Sequence, residues 1–457
     1  SFIVAFTFFS GPLGTATQRF LNFELGKGVD GRLNKVFNLS FYTYIVLSVA
    51  LLCIIEIAGM WFLNNKMQMP TERHDAAFFA FHMSVFSLSL GLLKMPFESL
   101  IIAYERMSFY AYISIAEVLL KLLNAFLLFF VSFDKLKIFA TNELAISAIV
   151  FSVTALYCRQ KFKEVTIQSL PKNWDFPLFK ELMCFSGWSL FGSVASMSAN
   201  QGLNLLLNMF FGVVVNAAMG VANQVSSAVV RFVSTFQVAF RPQLVKYYAQ
   251  GNIDALRDLI LNASKYSYLL LFAVACPISF NISIILKMWL KNPPEYAAEF
   301  CVMMLIYALL ESLSAPMWMT VQATGKIKKY QIIISACIFM NVLMSYVLLK
   351  NGFAPISVLV VKCVLDIVCL VVRLVFMKRM IAFEVVTYLK KVIFPLFIVS
   401  GMGCGFFLLF SAYCGILALL WKTMLFYVMF FLSVYTICLD EKDRKEILVY
   451  LKSKIRA

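Results

Sequence analysis

Apolar runs of about 20 to 28 residues recur some thirteen times along this chain, from one near 1–24 to one near 416–438, and they dictate most of what it can become. At 1.5 Å per residue each run spans roughly 30 Å of hydrocarbon as an α-helix. Strands of a membrane barrel would alternate over about ten residues, and no such alternation occurs. The composition agrees, with 61% hydrophobic and only 14% charged residues. The chain therefore reads as an all-α integral membrane protein. Two adjoining spans are expected at 182–211 and 215–240, and a further one at 265–290.

A formal charge of +16 would suggest nucleic acid as the partner of a soluble chain. Here its placement points elsewhere. Connections alternate between two sides, and of the 40 lysines and arginines about 26 fall on one side and about seven on the other. The positive-inside rule makes the richer side cytoplasmic, with a basic cytoplasmic tail at 439–457. Residue 1 then starts outside, and since Ser1 is no initiator a first helix is expected to be missing. That gives about thirteen transmembrane helices present and fourteen in the intact protein. The eleven cysteines are scattered through the spans, and only His74 and His82 could join them, so no metal site or cofactor is expected.

An internal repeat organises the spans. "KMPFESLIIAYERMSFYAYISI" from residue 94 matches "SAPMWMTVQATGKIKKYQIIIS" from residue 314 at one offset, pairing Pro96 with Pro316, Ala103 with Ala323, Arg106 with Lys326 and Tyr110 with Tyr330. A weaker match sets "TATQRF" against "SAVVRF", so that Arg19 answers Arg231 if an insertion is allowed. A repeat of six helices keeps its orientation, which implies two six-helix lobes related by a pseudo-two-fold along the membrane normal plus a C-terminal helix pair. The expected boundaries are an N-terminal lobe at 1–160, a cytoplasmic linker at 161–181, a C-terminal lobe at 182–379, and a linker with two extra helices at 380–438. Pro96 and Pro316 are the hinge candidates.

Charges inside spans cost about 2.5 to 3.5 kcal/mol on insertion scales, so each requires a partner, an interface or a wet cavity. Lys94 with Glu98, Glu117 with Lys121, and Lys362 with Asp366 lie one turn apart and are expected to pair along their own helices. Lys422 and Arg373 lie near span ends and are expected to snorkel. Arg19 and Arg231 have no acid three or four positions away, which suggests cations converging on an anion in a polar chamber. Asn200, Gln201, Asn204, Asn223 and Gln224 crowd the spans before Arg231 and offer amides to a hydroxyl-rich cargo, although small polar faces also serve helix packing. Glu117, Glu311 and Asp366 are the buried carboxylates on which ion coupling would act.

"TATQRFLNFELGKG", the long segment from "FSGWSLFGSVAS" through "RPQLVKYYAQGN", and "QATGKIKKYQ" resemble the Wzx-type polysaccharide flippases of the multidrug/oligosaccharidyl-lipid/polysaccharide (MOP) exporter superfamily. The resemblance implies a non-enzymatic, two-lobed flippase of the bacterial inner membrane. Such a protein moves undecaprenyl-pyrophosphate-linked oligosaccharide across the bilayer by alternating access, for O-antigen, capsule or exopolysaccharide. It implies a cationic chamber whose matching positions are Arg19 and Arg231, with Lys94 and Lys121 beside them, and a tail groove at 392–438. The implied partners are the lipid-linked sugar, membrane lipid and a polysaccharide polymerase, with no nucleic acid. The alternatives are a drug or cation antiporter of the same superfamily and a membrane polymerase or ligase.

Overall fold

The computed structural model describes residues 10–28, 32–65, 73–130, 133–168, 175–410, 416–439 and Arg444. The outer part of the first expected span, the middle of the 161–181 linker and most of the basic tail lie outside the described residues. Among those described, every regular element is helical, and ten helices are long and apolar enough to cross a membrane.

The first compact unit comprises the described residues up to Ser193 together with 245–251 and 323–328. It contains α1 (Ser10–Lys27), α2 (Leu33–Asn65), α3 (His74–Ala103), α4 (Met107–Leu127) and α5 (Lys135–Lys161). Helix α3 packs on all four of the others. Small residues permit that approach: Gly59 of α2 lies directly on the Phe81 ring, where a Cβ would collide. Helix α5 begins at Asp134, whose carboxylate accepts the Leu136 and Lys137 amides and so satisfies donors the helix leaves open.

The second unit holds most of α6 (Phe176–Ala249), then α7 (Ile253–Phe280), α8 (Ile282–Leu290), α9 (Ala297–Thr324), α10 (Lys328–Lys350) and α11 (Ser357–Ile381). It closes with α12 (Val385–Tyr388) running through a π-helical turn into α13 (Phe394–Leu409), and with α14 (Ile416–Ser433). Helix α6 is 74 residues long but is two arms, because Gly212 adopts φ 79°, ψ −166°, a conformation open essentially to glycine alone. The break falls where the two expected spans part. The span expected at 265–290 is instead interrupted: Pro277 removes one amide donor, and Asn281 ends α7 by turning its side-chain amide onto the Pro277 carbonyl at 2.9 Å. Pro96 and Pro316, by contrast, sit inside continuous helices.

The C-terminal pair is fastened to α7 by aromatic packing. Phe280 stacks on Phe407 at 5.0 Å, and Phe272 meets Phe426 and Phe430 while Gly403 lies close against its ring. Lys265, the first residue of the span expected at 265–290, is buried here, and its ammonium donates to the Cys438 carbonyl at 2.8 Å.

The stronger repeat is visible in the backbone. Ala103 and Ala323 are both fully buried, and two residues after each comes a left-handed turn residue, Glu105 (φ 57°) and Gly325 (φ 76°). The weaker match fails in the form proposed. Gly28 (φ 69°) and Gly251 (φ 71°) are the equivalent turn residues, and α6 runs without interruption from Arg231 to that turn. Counting back from the two glycines sets Arg19 opposite Pro242, beside Arg241. Equating it with Arg231 would require an insertion of about three helical turns in a continuous helix.

Candidate functional site

In the first unit, Arg19 occupies the middle of α1 and is only 7% exposed. Its Nε and Nη2 both donate to the Ala323 carbonyl at 3.3 Å, and Nη1 lies 3.8 Å from Glu181 Oε1. Phe20, Phe23 and Phe185 surround it, with ring centroids 4.5, 5.0 and 5.7 Å from the guanidinium carbon. The Ala323 carbonyl is open because α9 ends there, and the helix terminus carries partial negative charge that favours a cation. Gly325 completes the fit: a Cβ at that position would stand 2.6 Å from Arg19 Nη2. Arg19 is therefore a helix cap with its donors engaged, where the sequence suggested a free cation. Helix α1 also buries Thr17 and Asn22, and α2 buries Ser40 and Tyr44.

Lys94 bridges two helices. Its ammonium lies 3.0 Å from Glu98 and 2.9 Å from Glu117, and Glu117 in turn receives Lys121 at 2.8 Å. Both expected along-helix pairs form, and the Lys94 to Glu117 contact joins them into a neutral chain of four groups. Lys121, 44% exposed, is its most accessible member.

In the second unit Arg231 presents the opposite case to Arg19. It lies nine residues, about 14 Å, before the end of the span expected at 215–240, which is deep for a side chain that must reach that interface. The side chain is exposed, and its guanidinium makes no ion pair or hydrogen bond among the described residues. Gly220, Gln224, Ser227, Arg231 and Thr235 are all exposed at helical spacing, which makes one polar stripe along this arm. On the other arm Asn200, Gln201 and Asn208 are exposed and Asn204 is half-buried; Asn223 is half-buried beside Gln224.

A second charged group lies between α6, α9, α10 and α11. Lys362 donates to Asn200 Oδ1 at 3.1 Å and sits 4.3 Å from the Tyr307 ring centroid. Asp366 faces Arg373 at 3.8 Å, and Arg373 Nε donates to the Tyr330 hydroxyl at 3.1 Å. Two expectations are corrected here. Lys362 does not form the expected ion pair with Asp366, because Asn200 and the Tyr307 face receive the ammonium and Arg373 takes the acid. Arg373 does not snorkel, being 7% exposed and held from inside; Lys422, 6% exposed, is likewise buried. Asp366 Oδ2 has no hydrogen-bond partner among the described residues. A cavity of about 50 Å³ adjoins Asn200, Asn341, Lys362 and Asp366.

Glu311, expected to be buried, is exposed and borders a cavity of about 110 Å³ with Gln237 and Trp318. Arg241, one residue past the span expected at 215–240, donates to Gln322 at 2.6 Å with its guanidinium 5.7 Å from the Trp318 ring. Sequence reasoning missed Gly325 as the seat of Arg19 and Tyr307 as the face for Lys362. The "ATG" after a long apolar run was a usable signal for the first, since glycine commonly follows a helix end; no local pattern marks the second.

No family model and no curated protein matches the sequence. Solved structures do match. A MATE protein in complex with MaD3S superposes with a TM-score of 0.72 at 13% identity, covering 83% of this chain and 86% of that one. An outward-facing multidrug resistance MATE family transporter of the MOP superfamily gives 0.67 at 12%, with 83% and 86% covered. A MOP superfamily transporter from Pyrococcus furiosus, described by a reverse polarity of its binding pocket that suggests a different function, gives 0.68 at 12% with the same coverage. The chain thus has the MATE-like transporter fold.

Proposed function

We propose that this protein is a flippase that carries polyprenyl-pyrophosphate-linked oligosaccharide across the bacterial inner membrane by alternating access, supplying a polysaccharide polymerase on the far side. The observation that carries this reading is Arg231, exposed in the interior of a long apolar arm with its guanidinium unpaired among the described residues. Acyl chains would not tolerate it, so its face borders water or a polar cargo. A guanidinium matches phosphate oxygens in a bidentate manner, and the amides of Gln224, Gln201 and Asn208 suit sugar hydroxyls. Arg19 joins the cargo only once its contact with Ala323 opens, and Lys94 and Lys121 contribute only as members of a neutral network. No bond is made or broken in such a cycle. Pro96 and Pro316 are offered as bending points, and Asp366, with one oxygen unpartnered, is the carboxylate best placed to exchange a coupling proton.

A drug or cation antiporter of the same fold is the competing reading. Against it, the free charge on the polar stripe is positive, while Glu117 and Asp366 already face the protein's own cations. The deciding assay reconstitutes the protein with a fluorescent undecaprenyl-pyrophosphate oligosaccharide and compares wild type with Arg231→Ala. Loss of translocation in the variant supports the flippase; equal rates in both sink it.

A further inference from the structure

A cavity of about 830 Å³ in the first unit plays no part in the proposed transport site. It lies among α2, α3, α5 and the segment that follows α5, and its size falls within the roughly 300 to 1,000 Å³ of small-molecule sites. Phe37, Phe97, Leu100, Phe151 and Leu156 make it apolar, while Arg159 and Lys163 stand at its edge. Both cations are exposed, and neither has a hydrogen bond or carboxylate partner among the described residues. The neighbouring acid is engaged elsewhere: Glu164 accepts the Tyr104 hydroxyl at 3.3 Å. Burial first and the Glu164 charge second push the pKa of that hydroxyl up to about 12, so it stays protonated well above neutral pH.

The wall formed by the segment after α5 is built into place. Asn34, Asn38 and Tyr42 lie one turn apart on α2 and form a ladder to its backbone. Thr166 N–H donates to Asn34 Oδ1 at 3.1 Å, Asn38 Nδ2 donates to the Thr166 carbonyl at 2.8 Å, and Gln168 N–H donates to Asn38 Oδ1 at 2.9 Å. Tyr42 donates to the Gln168 carbonyl. Phe162 stacks on Tyr104 at 4.2 Å and anchors the start. With its peptide groups satisfied by side chains, an extended segment can border an apolar space at little cost.

We infer that this cavity binds a membrane glycerophospholipid with an anionic headgroup, its acyl chains against the wall of Phe97, Phe151 and Leu156 and its phosphate on Arg159 and Lys163. Charge complementarity selects that occupant. A zwitterionic lipid satisfies the apolar wall equally well but gains less from two cations at the end of a span that have no carboxylate partner among the described residues. The inference is independent of the flippase reading, since none of these residues belongs to the Arg231 stripe.

The test uses the full chain in nanodiscs with acyl-diazirine phosphatidylglycerol or phosphatidylcholine, photolysed and mapped by peptide mass spectrometry. Labelling of residues 151–167 by phosphatidylglycerol is expected to exceed that by phosphatidylcholine about tenfold. R159Q/K163Q should lower the phosphatidylglycerol signal about tenfold and leave the phosphatidylcholine signal unchanged, while R159K/K163R, which keeps the charge and guards against a folding artefact, should retain most of it. Equal labelling by both lipids, or labelling indifferent to R159Q/K163Q, overturns the inference and leaves an ordinary lipid-facing surface. Displacement of phosphatidylglycerol by equimolar undecaprenyl phosphate also overturns it, by giving the cavity to a polyprenyl tail.

Discussion

Arg19 and Arg231 look alike in sequence, each a lone arginine in a helix made for hydrocarbon, yet the structure gives them opposite situations. Arg19 is buried, caps the end of α9 through Ala323 and is ringed by three phenylalanines. Arg231 is exposed on a stripe of Gln224, Ser227 and Thr235, with its guanidinium unengaged among the described residues. A charge in a span thus identifies a place where the apolar environment must be interrupted; whether the interruption is internal cement or a ligand surface depends on what packs against it.

The largest effect should come at Arg231. Arg231→Ala is expected to slow translocation of the pyrophosphate-linked sugar by 10- to 100-fold, or about 1.4 to 2.8 kcal/mol, with Arg231→Lys intermediate because an ammonium keeps the charge without the fork. Thermal stability in detergent should hardly change. A variant that melts early while flipping normally would reverse the contrast.

Arg19 should respond the other way round. Gly325→Ala places a methyl group against Arg19 Nη2 and strains a φ of 76°, so a loss of about 1 to 3 kcal/mol is expected in chemical denaturation. Arg19→Ala should cost a similar amount by leaving the Ala323 carbonyl without its two donors. If either variant is as stable as wild type, the capping role is lost.

Smaller effects are expected in the Lys94 network. Lys94→Met alone leaves Glu98 and Glu117 facing each other without their shared cation, so it should destabilise by about 1 to 2 kcal/mol; adding Glu117→Gln should recover part of the loss. Strict additivity in that cycle would mean the two groups do not interact.

The smallest effect belongs to Asp175 at the start of α6. The Leu178 amide, and after it the Lys35 ammonium, hold its carboxyl below the ordinary aspartate range. A depressed native pKa means the contribution is complete above about pH 4 and is lost as pH falls through the native value. Asp175→Asn should therefore cost under about 1 kcal/mol at pH 7 and nothing once the carboxyl is protonated, which melting curves from pH 7 to pH 3 would show.

Sequence alone determined the helical membrane architecture, because spans long enough for hydrocarbon leave few choices for backbone hydrogen bonding. Local chemistry also announced the break at Gly212 and the paired turns after Ala103 and Ala323, since these depend on a residue and its immediate neighbours. The along-helix pairs of Lys94 and Lys121 were legible for the same reason. Only the tertiary structure decided which charges are free. The Ala323 carbonyl that holds Arg19 is 304 residues away in the chain, and the Tyr330 hydroxyl that receives Arg373 is 43 away. Periodicity reports which face of a helix a side chain occupies, whereas its partner is set by which distant helix the folded bundle brings to that face.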